Sequence, residues 1–209
     1  MKAYFKSIGW KRPIVMILGN IFLGMGVSIF KFSGTGNDAY NAMVMALADC
    51  VGIHYAHFFL IFSGSLFIIQ LIFGRSYIGL GTIMNTCFLG YITSFFTGIW
   101  NILFEAPETL LMKLITMALG VIVCSFGISM YQTPNLGVSP YDCLSLLMAK
   151  KVTKVPYFWW RMLTDGLSAL VAFLAGGLIG LGTLSAAFGF GPFIHFFDVH
   201  FTEKVLKEN

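Results

Sequence analysis

The chain contains one apolar segment twice, and this duplication limits its fold more than any other feature. Shifted by 101 positions, residues 18–96 match residues 119–197 without a gap, and 18 of the 79 pairs are identical. The longest shared string is Ile-Gly-Leu-Gly-Thr, at 78–82 and again at 179–183. Shared Gly-rich composition is the alternative explanation, but it rarely produces a gapless register with such a string. A duplicated, lipid-soluble unit is a known plan of membrane transporters, with a site where the copies meet.

The composition places most of the chain in lipid. Of the 209 residues, 57% are hydrophobic and 11% are charged, whereas a soluble domain has about 25% charged residues. The net charge of +4 comes from basic residues at the ends of apolar stretches, which is typical of membrane topology rather than nucleic-acid binding. The four cysteines lie in apolar segments without Cys-x-x-Cys spacing, so we predict buried cysteines and neither a metal nor a cofactor.

Uncharged windows predict the membrane spans. A span needs about 20 apolar residues, and five windows approach or exceed this length: 13–30, 55–74, 76–104, 114–141 and 166–197. The segment 157–175 supplies a sixth span. We therefore predict an all-α, polytopic transmembrane bundle built from two homologous repeats. Its predicted divisions are a cytoplasmic N-terminus (1–12), repeat 1 (13–104), a linker (105–113), repeat 2 (114–200) and a cytoplasmic tail (201–209).

Each repeat also contains a segment shorter than a normal membrane span. Residues 37–49 and 139–149 follow flexible stretches, Ser-Gly-Thr-Gly and Pro-Asn-Leu-Gly. Ser139 before Pro140 is a helix-start signal, with a hydroxyl cap and the proline ring at the first helical position. Asn37 and Asp38 take the same place in the first copy. Non-helical backbone at membrane depth is tolerated where it is buried in protein or lines a wet cavity, so we expect both segments to face inward.

Two topologies fit the charges equally well. If the short helices re-enter, each repeat has three spans and the copies are inverted, with only Lys31 and Lys113 outside. If they cross, each repeat has four spans and the copies are parallel; Arg75 and Lys113 then exchange sides. Ten basic residues lie inside in both cases, so the positive-inside rule does not decide. The short length of the second segment favours the inverted arrangement with three spans per repeat.

The loop motifs resemble a known family. The loops read Gly-Thr-Gly-Asn-Asp-Ala-Tyr and Leu-Gly-Val-Ser-Pro-Tyr-Asp, and each is followed by Gly-Leu-Gly-Thr before a span that contains Phe-Phe. This pattern, over about residues 12–200, resembles the YitT/YczE-type bacterial integral membrane proteins, and the 136–142 loop is closest to the YczE branch. The resemblance implies a bacterial cell membrane protein with Arg75 and the C-terminus in the cytoplasm. It brings no catalytic residues, and the first copy departs from it at Asp38-Ala39.

The first candidate site is formed by the two loops and the first turns of their short helices. A helix N-terminus exposes unpaired amides and a partial positive charge, which suit an anionic group of a ligand. Candidate ligand-binding side chains at these two helix starts are Asn37, Asp38, Tyr40 and Asn41 in the first copy, and Ser139, Tyr141 and Asp142 in the second. The alternative is that these side chains only cap the two helices.

The second candidate site is a charged pair inside an apolar segment. Arg161 and Asp165 are four residues apart, so they share one helix face. An ionisable residue at membrane depth is a functional hypothesis by default. The alternative is a neutralised pair that packs the repeats together. The first copy has Leu60 and Gly64 at the equivalent positions, so the pair breaks the symmetry of the repeats.

The third candidate is the repeated Gly-Leu-Gly-Thr motif, with Asn85 following it in the first copy. Small residues allow close helix approach, and threonine can form hydrogen bonds between helices. The motif therefore predicts packing rather than ligand binding, although Asn85 is a polar group that requires a partner. The histidines at 54, 57, 195 and 200 lack the carboxylate or cysteine neighbours of a metal site.

We expect a transporter of a small polar solute or ion, with its site between the repeats. The alternative is a non-transporting accessory or scaffold protein for another membrane protein. An enzyme is not expected, because no nucleophile and base form a recognisable pair. A transporter should bring polar residues together at its centre, whereas a scaffold should have a dry, filled centre. The expected partners are the lipid bilayer, a solute or ion, and another copy or a membrane partner protein, but no nucleic acid.

Overall fold

The fold was described from a computed structural model, which covers residues 10–155, 157–177 and 180–207. These residues form helices and no strand, as the sequence predicts. The α-helices are α1 (Lys11–Ser33), α2 (Ala39–Val51), α3 (Tyr55–Phe73), α4 (Leu80–Leu103), α5 (Leu110–Gln132), α6 (Pro140–Lys151), α7 (Tyr157–Leu174), α8 (Leu181–Phe197) and α9 (Glu203–Lys207). Residues 1–9 of the predicted N-terminus, 208–209 of the tail, and Ile179 of the shared string lie outside the described residues.

Four of these helices are long and apolar enough to cross a membrane. They are α1, α3, α4 and α5, with 19 to 24 residues each, or about 28–36 Å at 1.5 Å per residue. Helices α7 and α8 have 18 and 17 residues, close to the lower limit for a span. Helices α2 and α6 have 13 and 12 residues. The chain is therefore a multi-spanning membrane protein with two short helices.

The bundle buries polar side chains together with an apolar core, and it exposes apolar side chains on its outer faces. Asn20, Ser28 and Thr82 are fully buried, whereas large side chains such as Ile61 and Leu170 are exposed. In water this distribution would leave a large apolar surface uncovered. In lipid it is favourable, because acyl chains solvate the outer faces and the hydrogen-bonding groups stay inside.

Helices α1 and α5 form the central pair, and they run antiparallel. The backbone of α1 at Gly19 contacts Met130 and Tyr131 of α5, while Gly26, further along α1, contacts Cys124. Residue numbers therefore rise along one helix as they fall along the other. A methyl group at Gly19 would lie 2.5 Å from the Tyr131 backbone nitrogen, so the two helices can approach this closely only through glycine.

Helices α1 and α4 run parallel. Gly24 lies against Thr93, and the Trp100 indole donates a hydrogen bond to Ser28 at 2.8 Å. Helices α5 and α8 also run parallel. The ring centres of Phe126 and Phe197 lie 5.2 Å apart, and Ser129 shares a hydrogen bond with Thr202, just beyond α8. Each outer span thus follows the direction of the central helix that it packs on.

Each short helix packs on elements of both halves of the chain. Helix α2 packs mainly on α7, and α6 packs on both α7 and α3. Pro140 begins α6, and the Ser139 hydroxyl accepts a hydrogen bond from the Asp142 amide, as the sequence predicts. In the first copy the cap is Asp38, which accepts from the Asn41 amide. Asn37 is therefore not the cap of α2; its side chain instead donates to the Val27 carbonyl at 3.3 Å.

Candidate functional site

The two loops that precede the short helices have closely similar backbones. Gly36 and Gly137 both have φ of 108°, a region that residues with a Cβ rarely adopt. Gly34 and Asn135, two residues earlier, are both left-handed, with φ of 65° and 56°. The chain turns in the same way at both places and then enters a capped helix. Gly36 and Gly137 are aligned with each other and form one of the identical pairs of the two copies.

The loop of the second half is held by the start of α4. The Gly81 amide donates to the Leu136 carbonyl at 2.8 Å, and the Thr82 hydroxyl donates to the Val138 carbonyl at 2.8 Å. A methyl group at Gly79 would lie 2.0 Å from the Leu136 carbonyl oxygen. The first Gly-Leu-Gly-Thr motif therefore binds backbone of the other copy, and it does so through its glycines and its threonine.

The loop of the first half is held by α8 in the same way. The Gly182 amide donates to the Thr35 carbonyl at 3.0 Å, and the Thr183 hydroxyl donates to the Asn37 carbonyl at 2.8 Å. We call these two sets of contacts the reciprocal clasp: residues 79–82 on loop 136–138, and residues 180–183 on loop 35–37. The packing role predicted for the motif is confirmed by these contacts. The clasp fixes both helix starts at the centre of the bundle.

The two short helices meet through equivalent tyrosines. The rings of Tyr40 and Tyr141 are stacked, with centroids 4.3 Å apart and planes 21° apart. The Tyr40 hydroxyl shares a hydrogen bond with Ser63 at 2.8 Å. The Tyr141 hydroxyl instead donates to the Asp165 carboxylate at 2.6 Å. The two equivalent tyrosines therefore contact each other, while their hydroxyl groups have different hydrogen-bond partners.

A charged cluster lies beside the Tyr141 ring. Arg161 forms an ion pair with Asp142 and another with Asp165, the latter at 3.1 Å between Nε and Oδ2. Its guanidinium carbon lies 5.3 Å from the centre of the Tyr141 ring, within range of a cation–π contact. The sequence predicts the pair of Arg161 with Asp165, four residues apart. The link to Asp142 depends on the packing of α6 against α7 and was not predicted.

Asp142 has three further hydrogen-bond partners. Tyr131 and Gln132 were not predicted from the sequence, whereas Ser139 was predicted as the helix cap. Tyr131 and Gln132, at the end of α5, donate to its second oxygen, both at 3.2 Å. Ser139 accepts from its amide at 3.0 Å. Ser168 in α7 was also missed and shares a hydrogen bond with the Tyr141 hydroxyl at 3.2 Å. Its spacing of three residues from Asp165 places it on the same helix face, which is the one signal that could have found it.

Asp38, the acidic cap of the first short helix, belongs to a separate hydrogen-bond network, and Asn41 is the residue equivalent to Asp142. Asp38 accepts from the Asn41 side chain at 2.9 Å, and the Asn41 oxygen accepts from the Tyr55 hydroxyl at 2.6 Å. Asp38 is also close enough to Arg161 and Asp165 for their charges to interact. The two networks together hold three carboxylates and one guanidinium, so the region has an excess of negative charge when all four are ionised.

The predicted site residues are therefore mostly brought together. Asp38, Tyr40 and Asn41 from α2 and its cap approach Tyr141, Asp142, Arg161 and Asp165 from α6 and α7. Ser139 supports the same cluster through its cap, and Asn37 anchors the first loop. Asn85 is buried in α4, and the hydrogen bonds of the described residues do not connect it to either network.

The cluster is accessible from one side. The side chains of Arg161 and Asp165 are 30% and 28% exposed, and that of Asp142 is 12% exposed. On the other side the stacked tyrosines close the centre, since Tyr40 and Tyr141 are both buried. A partly exposed charged cluster beside a buried aromatic pair can bind a small charged or polar group through exchange of ion-pair partners.

The model of a family described as "Family of unknown function (DUF6198)" matches residues 10–199. The chain belongs to this family. DUF6198 thus covers both loops, both short helices and the charged cluster of this chain. No solved structure matches this chain.

Three relatives are similar over most of their length to this DUF6198 chain. YyaS of Bacillus subtilis (strain 168), an uncharacterized protein, is 28% identical over 200 residues, which are 90% of this chain and 94% of the relative. YczE of the same strain, an uncharacterized membrane protein, is 27% identical over 182 residues, 85% and 81% of the two chains. An uncharacterized protein of Haemophilus influenzae is 23% identical over 191 residues, 90% and 84%. The predicted resemblance to YczE-type proteins is confirmed.

Proposed function

We propose that this chain transports a small polar solute or ion across a bacterial cytoplasmic membrane, with its site at the charged cluster between the two halves. The observation that carries the proposal is the cluster itself: Arg161 between Asp142 and Asp165, at the point where the short helices meet. Ionisable residues in membrane spans are costly, and they commonly line substrate or ion pathways. Their partial exposure fits a water-filled path better than contact with lipid.

The directions of the helices support the proposal, because we infer from them that the two copies are inverted. Two parallel spans in one chain are separated by an odd number of membrane crossings. Helices α1 and α4 are parallel and α3 supplies one crossing, so α2 returns to the side from which it came. Each copy then has three spans, and an odd number of spans inverts the second copy. The antiparallel course of α1 and α5 agrees with this topology. Inverted repeats with broken helices at the substrate site are a recurring transporter design.

The proposal includes an orientation. With three spans per copy, the positive-inside rule places both termini and Arg75 in the cytoplasm, and Lys31 and Lys113 outside. The resemblance to YitT/YczE-type proteins supports the same orientation. No catalytic step and no bound cofactor are part of the proposed mechanism, so a gradient or another subunit would supply the energy.

The second candidate function is a non-transporting accessory protein. One observation favours it: the stacked tyrosines fill the centre between the short helices, as a scaffold with a dry core would have. A transporter accommodates the same observation if the stack is a closed gate that separates when the halves move. The two candidate functions therefore differ in one expected result, which is whether a solute binds to the protein and changes its thermal stability.

Thermal stabilisation of the purified protein over a panel of small ions and polar solutes tests the proposal. We expect at least one solute to raise the melting temperature in a concentration-dependent way, and Asp142→Asn and Asp38→Asn to weaken this effect. Asp49→Asn is the matched control, because Asp49 is an exposed carboxylate at the end of α2. Uptake of the stabilising solute into proteoliposomes should then follow the same order among the variants.

Two outcomes would contradict the proposed site. Binding that is unchanged in both Asp142→Asn and Asp38→Asn would remove these carboxylates from it. A solute that binds but does not enter proteoliposomes under any imposed gradient would favour the accessory function.

A further inference from the structure

A separate groove lies at one end of the bundle, where α4 leads into α5. Its volume is about 620 Å³, and it is open on one side. Its walls come from α1, α4, α5 and the linker between α4 and α5, and the largest lining side chains are Ile29, Phe32, Trp100, Phe104, Met112 and Leu119. The groove is therefore mainly apolar and lies away from the charged cluster, which involves α2, α6 and α7.

The aromatic wall of the groove is fixed in position. The Trp100 indole nitrogen donates to the Ser28 hydroxyl at 2.8 Å, which holds the ring against α1. Its ring centre lies 6.1 Å from those of Phe96 and Phe104. Tryptophan at the end of a span is typical of the membrane–water interface. The groove thus begins at headgroup level and extends along the apolar faces of the helices.

Two carboxylates stand at the rim of this groove. Glu105 and Glu108 lie in the linker, line the groove and are exposed. The ion pairs within the described part of the chain include neither of them. Two acidic side chains over an apolar, aromatic-walled groove are complementary to a molecule with an apolar tail and a cationic head. An ammonium group could bind both carboxylates and the face of Trp100.

We infer that this groove binds a membrane lipid with a primary ammonium headgroup. The occupant is a lipid rather than a free amine because Met112 and Leu119 are exposed on the outer face of the bundle, where acyl chains lie. An acyl chain would fill the apolar part of the groove and bury surface that water would otherwise contact. The ammonium has three donors, as in lysine, and would bind Glu105 and Glu108. Lys113 follows the lining residue Met112 in α5 and suits the lipid phosphate.

Lipid titration of the full chain in detergent tests this inference, with the thermal shift or native mass spectrometry as the readout. The probes are dioleoyl phosphatidylethanolamine, phosphatidylcholine and phosphatidylglycerol, which share their tails and differ in their headgroups. We expect the ethanolamine lipid to bind about tenfold more tightly than the other two, since only it offers a primary ammonium to both carboxylates. The preference should disappear in Glu105→Gln/Glu108→Gln and remain in Asp49→Asn.

Three outcomes would overturn the inference. Equal binding of the three lipids would mean that the headgroup is not recognised. Tighter binding of phosphatidylglycerol would mean that Lys113, not the two glutamates, selects the lipid. Stabilisation by dodecylammonium without any preference for the ethanolamine lipid would identify the occupant as a free amphiphilic cation. Because the variants keep the whole chain and change only exposed residues, their folding can be verified by an unchanged melting temperature without lipid.

Discussion

At the scale of single residues, Arg161 is the group on which the charged cluster depends. It is paired with two carboxylates, and a third, Asp38, is within electrostatic range. Removing one partner of a buried ion pair is more costly than replacing the whole pair, because an uncompensated charge remains. In the proposed transport, a solute would take the place of one of these ion pairs. The charge left uncompensated when that pair separates would favour binding of the solute.

We predict that Arg161→Met lowers the stability of the protein by roughly 1–3 kcal/mol, below the range of about 3–5 kcal/mol for fully buried pairs, because its side chain is 30% exposed. The double variant Arg161→Met/Asp142→Asn should recover part of this loss, since it removes the carboxylate left without a partner. Thermal or denaturant unfolding in detergent measures both. A double variant whose loss equals the sum of the two single losses would show that the residues are not coupled.

The sequence predicts those contacts of this cluster that join residues close to each other along the chain. The helical spacing of four residues predicts the pair of Arg161 with Asp165, and the hydroxyl before Pro140 predicts the cap of α6. The contacts of Asp142 with Arg161, Tyr131 and Gln132 could not be predicted, because they join three helices. Periodicity determines which residues share a face of one helix, but the mutual placement of helices depends on the packing of the whole bundle.

At the scale of elements, the reciprocal clasp replaces the hydrogen bonds that the two broken loops lack. Backbone carbonyls at membrane depth need partners, since lipid supplies none. Those of Thr35 and Leu136 receive amides from the starts of α8 and α4, and threonine hydroxyls add a second bond to each loop. The repeated Gly-Leu-Gly-Thr string predicts close packing, but it does not indicate that its partner is the loop of the other copy.

We predict that Gly79→Ala is destabilising, by roughly 1–3 kcal/mol or more, as expected for overpacking. Its new methyl group would lie 2.0 Å from the Leu136 carbonyl oxygen, so the clasp would have to separate. Gly180→Ala should have a smaller effect, since the corresponding distance to the Thr35 oxygen is 2.5 Å. Unfolding temperature in detergent gives the order of the variants.

Gly98→Ala is the matched control for this series. Gly98 lies in the same helix as the first motif, and a methyl group there has no atom within 4 Å. Alanine favours a helix interior by about 1 kcal/mol over glycine, so this variant should be neutral or more stable. If Gly79→Ala is as stable as Gly98→Ala, the close approach of α4 to the loop does not exist.

At the scale of the whole molecule, the directions of the helices support the proposed copies of three spans, one of the two topologies that the sequence left open. The sequence shows the duplication and the apolar windows, but its basic residues fit six or eight spans equally well. Contacts of α1 with α4 and with α5 show that the first pair is parallel and the second antiparallel, and the proposed topology rests on these directions. Such contacts join residues as far apart as Gly19 and Tyr131, and no local pattern encodes them.

We predict that a cysteine at Ser76, in the short 3-10 helix between α3 and α4, is labelled only from the cytoplasmic side. A cysteine at Thr109 should be labelled only from outside. The eight-span alternative reverses both positions. A membrane-impermeant maleimide on cells and on inverted vesicles measures this, with the four native cysteines at 50, 87, 124 and 143 replaced by alanine. Labelling of Ser76→Cys from outside would falsify the three-span copies.

The reciprocal clasp also has a consequence for how the chain is made. The Asn37 carbonyl is completed by Thr183, which lies 146 residues later in the sequence. At about 5–20 residues per second, the ribosome needs roughly 7–30 s to synthesise that distance. During this time the first half is already in the insertion machinery with its loop incomplete. Since lipid supplies no hydrogen bonds to backbone, that loop must stay out of the acyl chains until residues 180–183, near the end of the polypeptide, have been made.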